Sequence, residues 1–368
     1  MSARPDATIE ALDISAYEVP TDEPESDGTL EWSSTTIVIV EARAGTTAGL
    51  GYTYADRSAA VLIESKLRSV VERRDAMDLA AVWTDMGAAI RNAGRPGAGM
   101  MAVSAVDIAL WDLKSRLLGL SVADLVHPAH GAVPVYGSGG FTSYSLDRLQ
   151  EQLGVWVEAG IPRVKMKTSR DPDRDPERLD AARKAIGDQT ALYVDANGAL
   201  GRKEALYWAE RFRYDWNVSW FEEPVSSADF EGLRLLRDRG PAGLDIAAGE
   251  YAYVLADFRN LLDPAAVDCL QADVTRCGGI TGLLRVTGLS EAHGIDLSAH
   301  CAPSVSAHAF CAPVRLRHLE YFHDHVRIEG MLFDGAVEPK DGRLSPDRSR
   351  PGLGLELKRQ DAERFRVI

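Results

Sequence analysis

Cysteine is scarce in this chain. The four residues, Cys269, Cys277, Cys301 and Cys311, all lie in the last third of 368 positions and form no CxxC pair. That excludes a secreted disulfide framework and a cysteine-built zinc site, and it leaves buried free thiols as the expectation. Long apolar runs are also missing: the longest, residues 100–111, is interrupted by Asp107 and falls short of a membrane span. Positive charge is outnumbered, with 41 Lys and Arg against 55 Asp and Glu and a formal net charge of −14. Such a surface repels phosphate backbones, so neither nucleic acid nor a membrane is an expected partner. The opening Met1-Ser2-Ala3-Arg4-Pro5-Asp6 has no apolar stretch behind its Arg, so no signal peptide and a cytoplasmic location are expected. A dinucleotide fingerprint is lacking too; Gly278-Gly279-Ile280-Thr281-Gly282 has the wrong spacing and reads as a tight turn before a helix.

What remains is ordinary globular material, 45% apolar and 26% charged, long enough for a barrel plus a smaller domain. Residues 1–133 mix strand and helix signals. The β-branched run 35–40 suits a strand, and Val103, Val106, Leu110, Leu113 and Leu117 recur at helical spacing before a stop at Gly119. The polar stretch 21–28 reads as a loop. From 134 to 330 the texture changes to short apolar runs separated by helix-length segments. The runs are 134–136, 163–167, 191–195, 218–222, 245–250, 269–273, 296–300 and 318–322. One helix is well marked, with Asp175 as N-cap, Pro176 in the first turn and Gly187 as terminator. Eight such strands joined by helices mean a parallel α/β sheet that closes into a barrel. Residues 331–368 read as a C-terminal segment returning to the N-terminal part.

The charges fall where a barrel would use them. Lys167, Asp195, Glu222, Glu250, Asp273, His300 and Glu320 each end a strand candidate, and in a barrel those ends share one rim. Taken singly, Asp195 could cap the next helix, and Glu222 or Glu223 ahead of Pro224 could be first-turn acids. Three carboxylates from consecutive strands, however, repel one another unless a cation neutralises them, and an all-oxygen set suits Mg²⁺. Alternation along the strand should turn Glu223 away from the ion, towards a lysine. The same alternation puts Lys165 and Lys167 on one face, where the divalent ion and each other would lower one pKa and let that lysine act as a base, while the other binds the substrate carboxylate as a cation. Asp273 beside His300 would fix the imidazole tautomer and raise its basicity. Asn197, Ser138, His325 and Tyr54 are the expected substrate contacts.

These residues resemble the enolase superfamily, in particular its mandelate racemase subgroup (mandelate racemase/muconate lactonizing enzyme family). The resemblance runs through Ser104-Ala105-Val106-Asp107-Ile108-Ala109-Leu110-Trp111-Asp112, Lys165-Met166-Lys167, Asp195-Ala196-Asn197, Phe221-Glu222-Glu223-Pro224, Gly249-Glu250, Asp273, His300 and Pro351-Gly352-Leu353-Gly354. It implies a modified (β/α)7β TIM-like barrel with an α+β capping domain. It also implies Asp195, Glu222 and Glu250 as Mg²⁺ ligands, Lys167 and the His300–Asp273 dyad as acid/bases, Lys165 as the assistant of Lys167, and Glu320 as a carboxylic-acid donor to the substrate carboxylate. Tyr251 departs from the pattern, standing where the subgroup commonly has Asn. The expected reaction is removal of the α-proton of a small-molecule carboxylate through an enediolate, with dehydration of a sugar acid as outcome and racemisation or epimerisation as the alternative. The segments 21–28 and 51–57 are the expected specificity loops, and the acidity of the first disfavours dicarboxylic substrates. A homo-oligomer is expected. A lysine Schiff-base aldolase, detectable by borohydride trapping, and a metal- or sugar-binding module without proton exchange are the competing readings.

Overall fold

The computed structural model describes residues 7–368; residues 1–6, where the leader expectation falls, lie outside the described residues. The chain opens with an antiparallel sheet, β1 (Ala11–Ser26), β2 (Glu31–Ala44) and β3 (Thr47–Tyr54), in the order β1-β2-β3. Alternation along β2 serves two cores. Val38, Val40 and Ala42 pack with Val103, Val106 and Leu110 of the helix Ala98–Leu118, while Ile37 and Ile39 join the barrel-side core. That helix stops at Gly119 in the left-handed conformation, where the sequence places the stop.

The stretch 21–28 is not the loop its polarity suggests. β1 runs on to Ser26, with Glu25 paired to Trp32 and Ser26 to Glu31 after a register shift between Pro20 and Glu25. Residues 51–54, expected in a loop, are likewise the end of β3, and the loop proper is only 55–57. Ladder pairing with β2 covers residues 51–54 and, in the first segment, Glu25 and Ser26, so polar side chains there do not break the strand.

Eight parallel strands then close a ring: β4 (Val133–Gly139), β5 (Arg163–Lys167), β6 (Ala191–Asp195), β7 (Val218–Glu222), β8 (Asp245–Ala248), β9 (Cys269–Ala272), β10 (Asp296–Ala299) and β11 (Leu316–Phe322), with β11 paired back to β4. Helices cross over between successive strands, as in Asp175–Ile186. There the N-cap is Arg174; Asp175, expected as the cap, lies inside the helix and accepts the Ser169 N–H at 2.7 Å. The fold is therefore a TIM-like barrel with an α+β cap.

The C-terminal segment serves both parts. Arg343–Leu344 pairs antiparallel with β4 outside the ring, whereas Gly352 exchanges backbone hydrogen bonds with Leu120 and Val122, and Val367 donates to Ala16 of β1. Among the described residues no helix is long and apolar enough to cross a membrane.

Candidate active site

Alternation on the barrel strands separates two environments. On β5, Val164 and Met166 point outwards into the helix-facing core, while Lys165 and Lys167 point inwards. Below them the barrel interior is plugged by Tyr136, Tyr193 and Trp220, with the Tyr136 ring 5.5 Å from Lys165 Nζ. Water is thus excluded beneath the charged groups, and every charge above meets a low dielectric.

Parallel register brings the first two carboxylates together. Lys167 pairs with Asp195, and Asp195 with Glu222, across β5, β6 and β7. Glu250 lies two residues beyond β8 and reaches the same place through Gly249, whose φ of 142° and lack of a Cβ let the chain pass the Gln271 carbonyl. Oxygens of Asp195, Glu222 and Glu250 lie within 4.8 Å of one another, all buried. Burial and the Asp195 charge push Glu222 up to about 8 even with a lysine beside it. Three buried carboxylates that crowd one another this way form an all-oxygen donor set fitted to a hard divalent cation.

Lys165 is wholly buried, with Nζ 2.5 Å from Glu222 Oε1, 2.8 Å from Glu320 Oε1 and 3.2 Å from Asp195 Oδ2. Lys167 Nζ donates to Asp195 Oδ2 at 2.6 Å and lines the open cavity. Burial pulls both ammonium groups down, but Glu222 and Glu320 around Lys165, and Asp195 beside Lys167, outweigh it and hold both above their ordinary value.

His300 follows β10 directly. Its Nδ1 bonds Asp273 Oδ2 at 2.7 Å, and its Nε2 lies 3.0 Å from Glu250 Oε2 and 3.5 Å from Glu320 Oε2. Burial disfavours its imidazolium; Cys301, Glu250, Glu320 and the Asp273 bond reverse that and keep it well above the usual histidine range. Burial would raise the Glu320 carboxyl, but Lys165, His300 and Lys167 hold it below the usual carboxylate range. Ser138 is displaced from its expected role: fully buried behind Glu320, it donates to Glu320 Oε1 at 2.6 Å and does not line the cavity. Glu223 has φ 37°, and its Oε1 is buried and lacks a hydrogen-bond partner; the expected lysine pair does not form among the described residues.

Above these groups lies a cavity of about 410 Å³, roofed by β2 and the end of β3. Asn197, His325 and Tyr54 line it; Tyr54 stacks on His325 with ring centroids 3.4 Å apart. Two participants carry little sequence signal. Cys301, expected to be an inert core thiol, has Sγ 3.4 Å from both His300 Nε2 and Glu320 Oε2, and adjacency to His300 was its only clue. Arg276 donates to the Glu250 carbonyl at 3.2 Å and lies 3.3 Å from Asp273 Oδ2, tying the third carboxylate to the dyad.

A family model described as Enolase C-terminal domain-like matches residues 148–362, and one described as Mandelate racemase / muconate lactonizing enzyme, N-terminal domain, matches residues 16–126. The chain belongs to the mandelate racemase/muconate lactonizing enzyme family. Among curated members it is 32% identical to the L-talarate/galactarate dehydratase of Salmonella typhimurium, over 85% of this chain and 78% of that one. Among solved members, a mandelate racemase/muconate lactonizing enzyme-like protein from Rubrobacter xylanophilus is 63% identical, with TM-score 0.96 over 98% of this chain and 100% of that one. A Streptomyces coelicolor racemase solved with bound magnesium is 29% identical, with TM-score 0.90 over 98% and 100% of the two chains.

Proposed function

We propose that this family member is a magnesium-dependent dehydratase of a sugar acid, with residues 134–330 as the catalytic barrel and residues 1–133 and 331–368 as its cap. One observation carries the reading: Lys167 and His300 open into the same cavity as Glu250 and Glu320, from strands three places apart one way round the ring and five the other. A substrate carboxylate held at Glu320, Lys165 and the carboxylate trio would leave its α-carbon between the two nitrogens.

Asp195, Glu222 and Glu250 would hold the magnesium ion, which supplies positive charge against the negative charge that gathers on the substrate carboxylate as the α-proton leaves. Lys165, in contact with two of these carboxylates and Glu320, adds its ammonium charge at the same point. Lys167 Nζ would take the α-proton as the free amine, a form favoured once the charge of Asp195, which holds its ammonium, is offset by a bound cation. His300, as the imidazolium, gives its Nε2 proton to the β-hydroxyl; the β-carbon–oxygen bond breaks, water leaves, and the enol that remains tautomerises to a 2-keto-3-deoxy acid. Asp273 fixes the tautomer and stabilises the charged ring. A positioned acid or base adds roughly 10²–10⁴-fold, so electrostatic stabilisation of the developing charge is needed as well. Dehydration is preferred because the curated relative above is a dehydratase; racemisation follows from the same opposed pair when no β-hydroxyl is present.

The test is incubation with a sugar-acid library and Mg²⁺ in D₂O, following α-proton exchange and keto-acid release. Turnover that EDTA stops and Mg²⁺ restores is expected. Exchange with inversion and no keto acid would favour the racemase reading; an adduct trapped by borohydride would replace both with Schiff-base chemistry.

A further inference from the structure

We infer that the substrate is a monocarboxylate whose far end carries no charge and meets the cap through C–H and hydroxyl groups, with Asp27, Asp56 and Trp32 setting that preference. The inference rests on the dehydratase reading and concerns the roof of the same cavity.

Recognition of a second carboxylate needs a cation that is free to meet it. Among the described residues lining the cavity, the groups able to carry positive charge are Lys167, Arg276, His300 and His325. Lys167 and His300 belong to the reacting end. Arg276 is held between two carboxylates, 3.3 Å from Asp273 Oδ2 and 3.7 Å from Glu250 Oε1, and its charge is already matched. His325 lies flat on Tyr54, and its Nδ1 accepts the Ala302 N–H at 3.3 Å. Burial holds its imidazolium down, at about 3, so it is neutral at ordinary pH.

The cap contributes the opposite sign. Asp27 sits at the turn of the β1–β2 hairpin, where its Oδ1 accepts the N–H groups of Thr29 and Leu30, each at 2.6 Å. Asp56 follows β3 and accepts the Ser58 N–H at 2.8 Å. Both carboxylates are fixed by local turns and both line the cavity. In the same lining Trp32 offers only apolar surface: its Nε1 donates to the buried Glu25 Oε2 at 2.8 Å, and its ring is fixed edge-to-face on Phe141 at 5.5 Å. A second carboxylate here would face two like charges and an indole with no donor left. A terminal CH₂OH or CH₃ group would pack on the indole, and hydroxyls could donate to Asp27.

The hairpin is held against the barrel. Ser26 Oγ and Thr142 Oγ1 are 2.6 Å apart, Thr142 N–H donates to the Ser26 carbonyl at 2.8 Å, and Gly28 approaches the Ala196 carbonyl so closely that a Cβ would overlap it. Asp27 therefore stays over the mouth.

The experiment uses matched acids that differ only at the far carbon, such as galactonate with galactarate and gluconate with glucarate, on the full chain with Mg²⁺. For the productive pair the monoacid should have kcat/KM at least about tenfold above the diacid, and added salt should narrow the gap because screening weakens charge repulsion. Asp56→Arg should raise diacid kcat/KM relative to the monoacid, and Asp27→Asn should shift the ratio the same way. A diacid used as well as its monoacid partner, or a ratio that neither variant moves, overturns the inference while leaving dehydration intact. If no acid exchanges its α-proton, the dehydratase reading fails. Calorimetric titration of the same pairs then decides the inference alone, with preferential monoacid binding supporting it and tighter diacid binding overturning it.

Discussion

Glu25 shows how a single side chain can matter to a site it does not touch. It is buried beneath the cap hairpin, holds the Trp32 indole, and leaves Oε1 without a hydrogen-bond partner. Burial, with Asp324 and Asp22 nearby, pushes its carboxyl up to about 9. An unfolded glutamate loses its proton near 4.5, so between about 4.5 and 9 the folded chain binds more protons than the unfolded one and stability falls as pH rises. Glu25→Gln removes that titration while keeping a hydrogen-bond acceptor for Trp32. Its melting midpoint should fall less than the wild type's between about pH 6 and pH 9; parallel curves would show that Glu25 is ionised in the folded protein. Buried carboxyls of this kind are hard to read in a sequence, because nothing local distinguishes Glu25 from the exposed Glu23 two positions earlier.

Strands were legible to different degrees, and the reason is which face is buried. The limits of β5, β6 and β7 coincide with the sequence runs 163–167, 191–195 and 218–222, because their outward residues join the core under the helices and their last residues are charged. The hairpin arm failed the same test, since residues 21–24 fall in the register shift between Pro20 and Glu25 and pairing resumes at Glu25 and Ser26 without apolar alternation. Turns at the strand exits were also hidden. Cys301 and Ala302 have positive φ in succession, 52° and 45°, each costing roughly 1–3 kcal/mol, and they sit next to the histidine they orient. Gly28→Ala tests the hairpin as an element. A methyl group overlapping the Ala196 carbonyl should lift the arm, raising KM severalfold with kcat less affected and the melting midpoint nearly unchanged, because the overlap lies at the mouth and not in the core. An unaltered KM would mean that the arm does not cover bound substrate.

Cap and barrel are joined by side chains that the sequence displayed without their purpose. Ser104 Oγ accepts the N–H groups of Gly278 and Gly279 at 2.9 and 3.0 Å, and Asp107 accepts that of Thr281 at 2.9 Å, so the cap helix satisfies the first turn of the helix Gly279–Ala292. Asp112 accepts from Leu50 at 2.7 Å and from Leu353 at 2.5 Å, tying β3 to the returning C-terminal segment. The metal site should report on the assembled molecule. Mg²⁺ at a hundred times its Kd should stabilise the chain by about 2.7 kcal/mol, seen as a raised melting midpoint. Glu222→Gln should lose both that rise and turnover; a variant that keeps both would remove Glu222 from the ligand set.

The amino-acid sequence by itself determined the barrel, its strand order and the rim on which the charges gather, because period-two alternation and the βα repeat act over a few neighbouring residues. Only the tertiary structure decided which groups face one another. Ser138 went behind Glu320, Cys301 came against His300, and two turn-capping aspartates came to rest above the reacting end. Those placements depend on contacts between segments far apart in the chain, and local pattern contains no information about them.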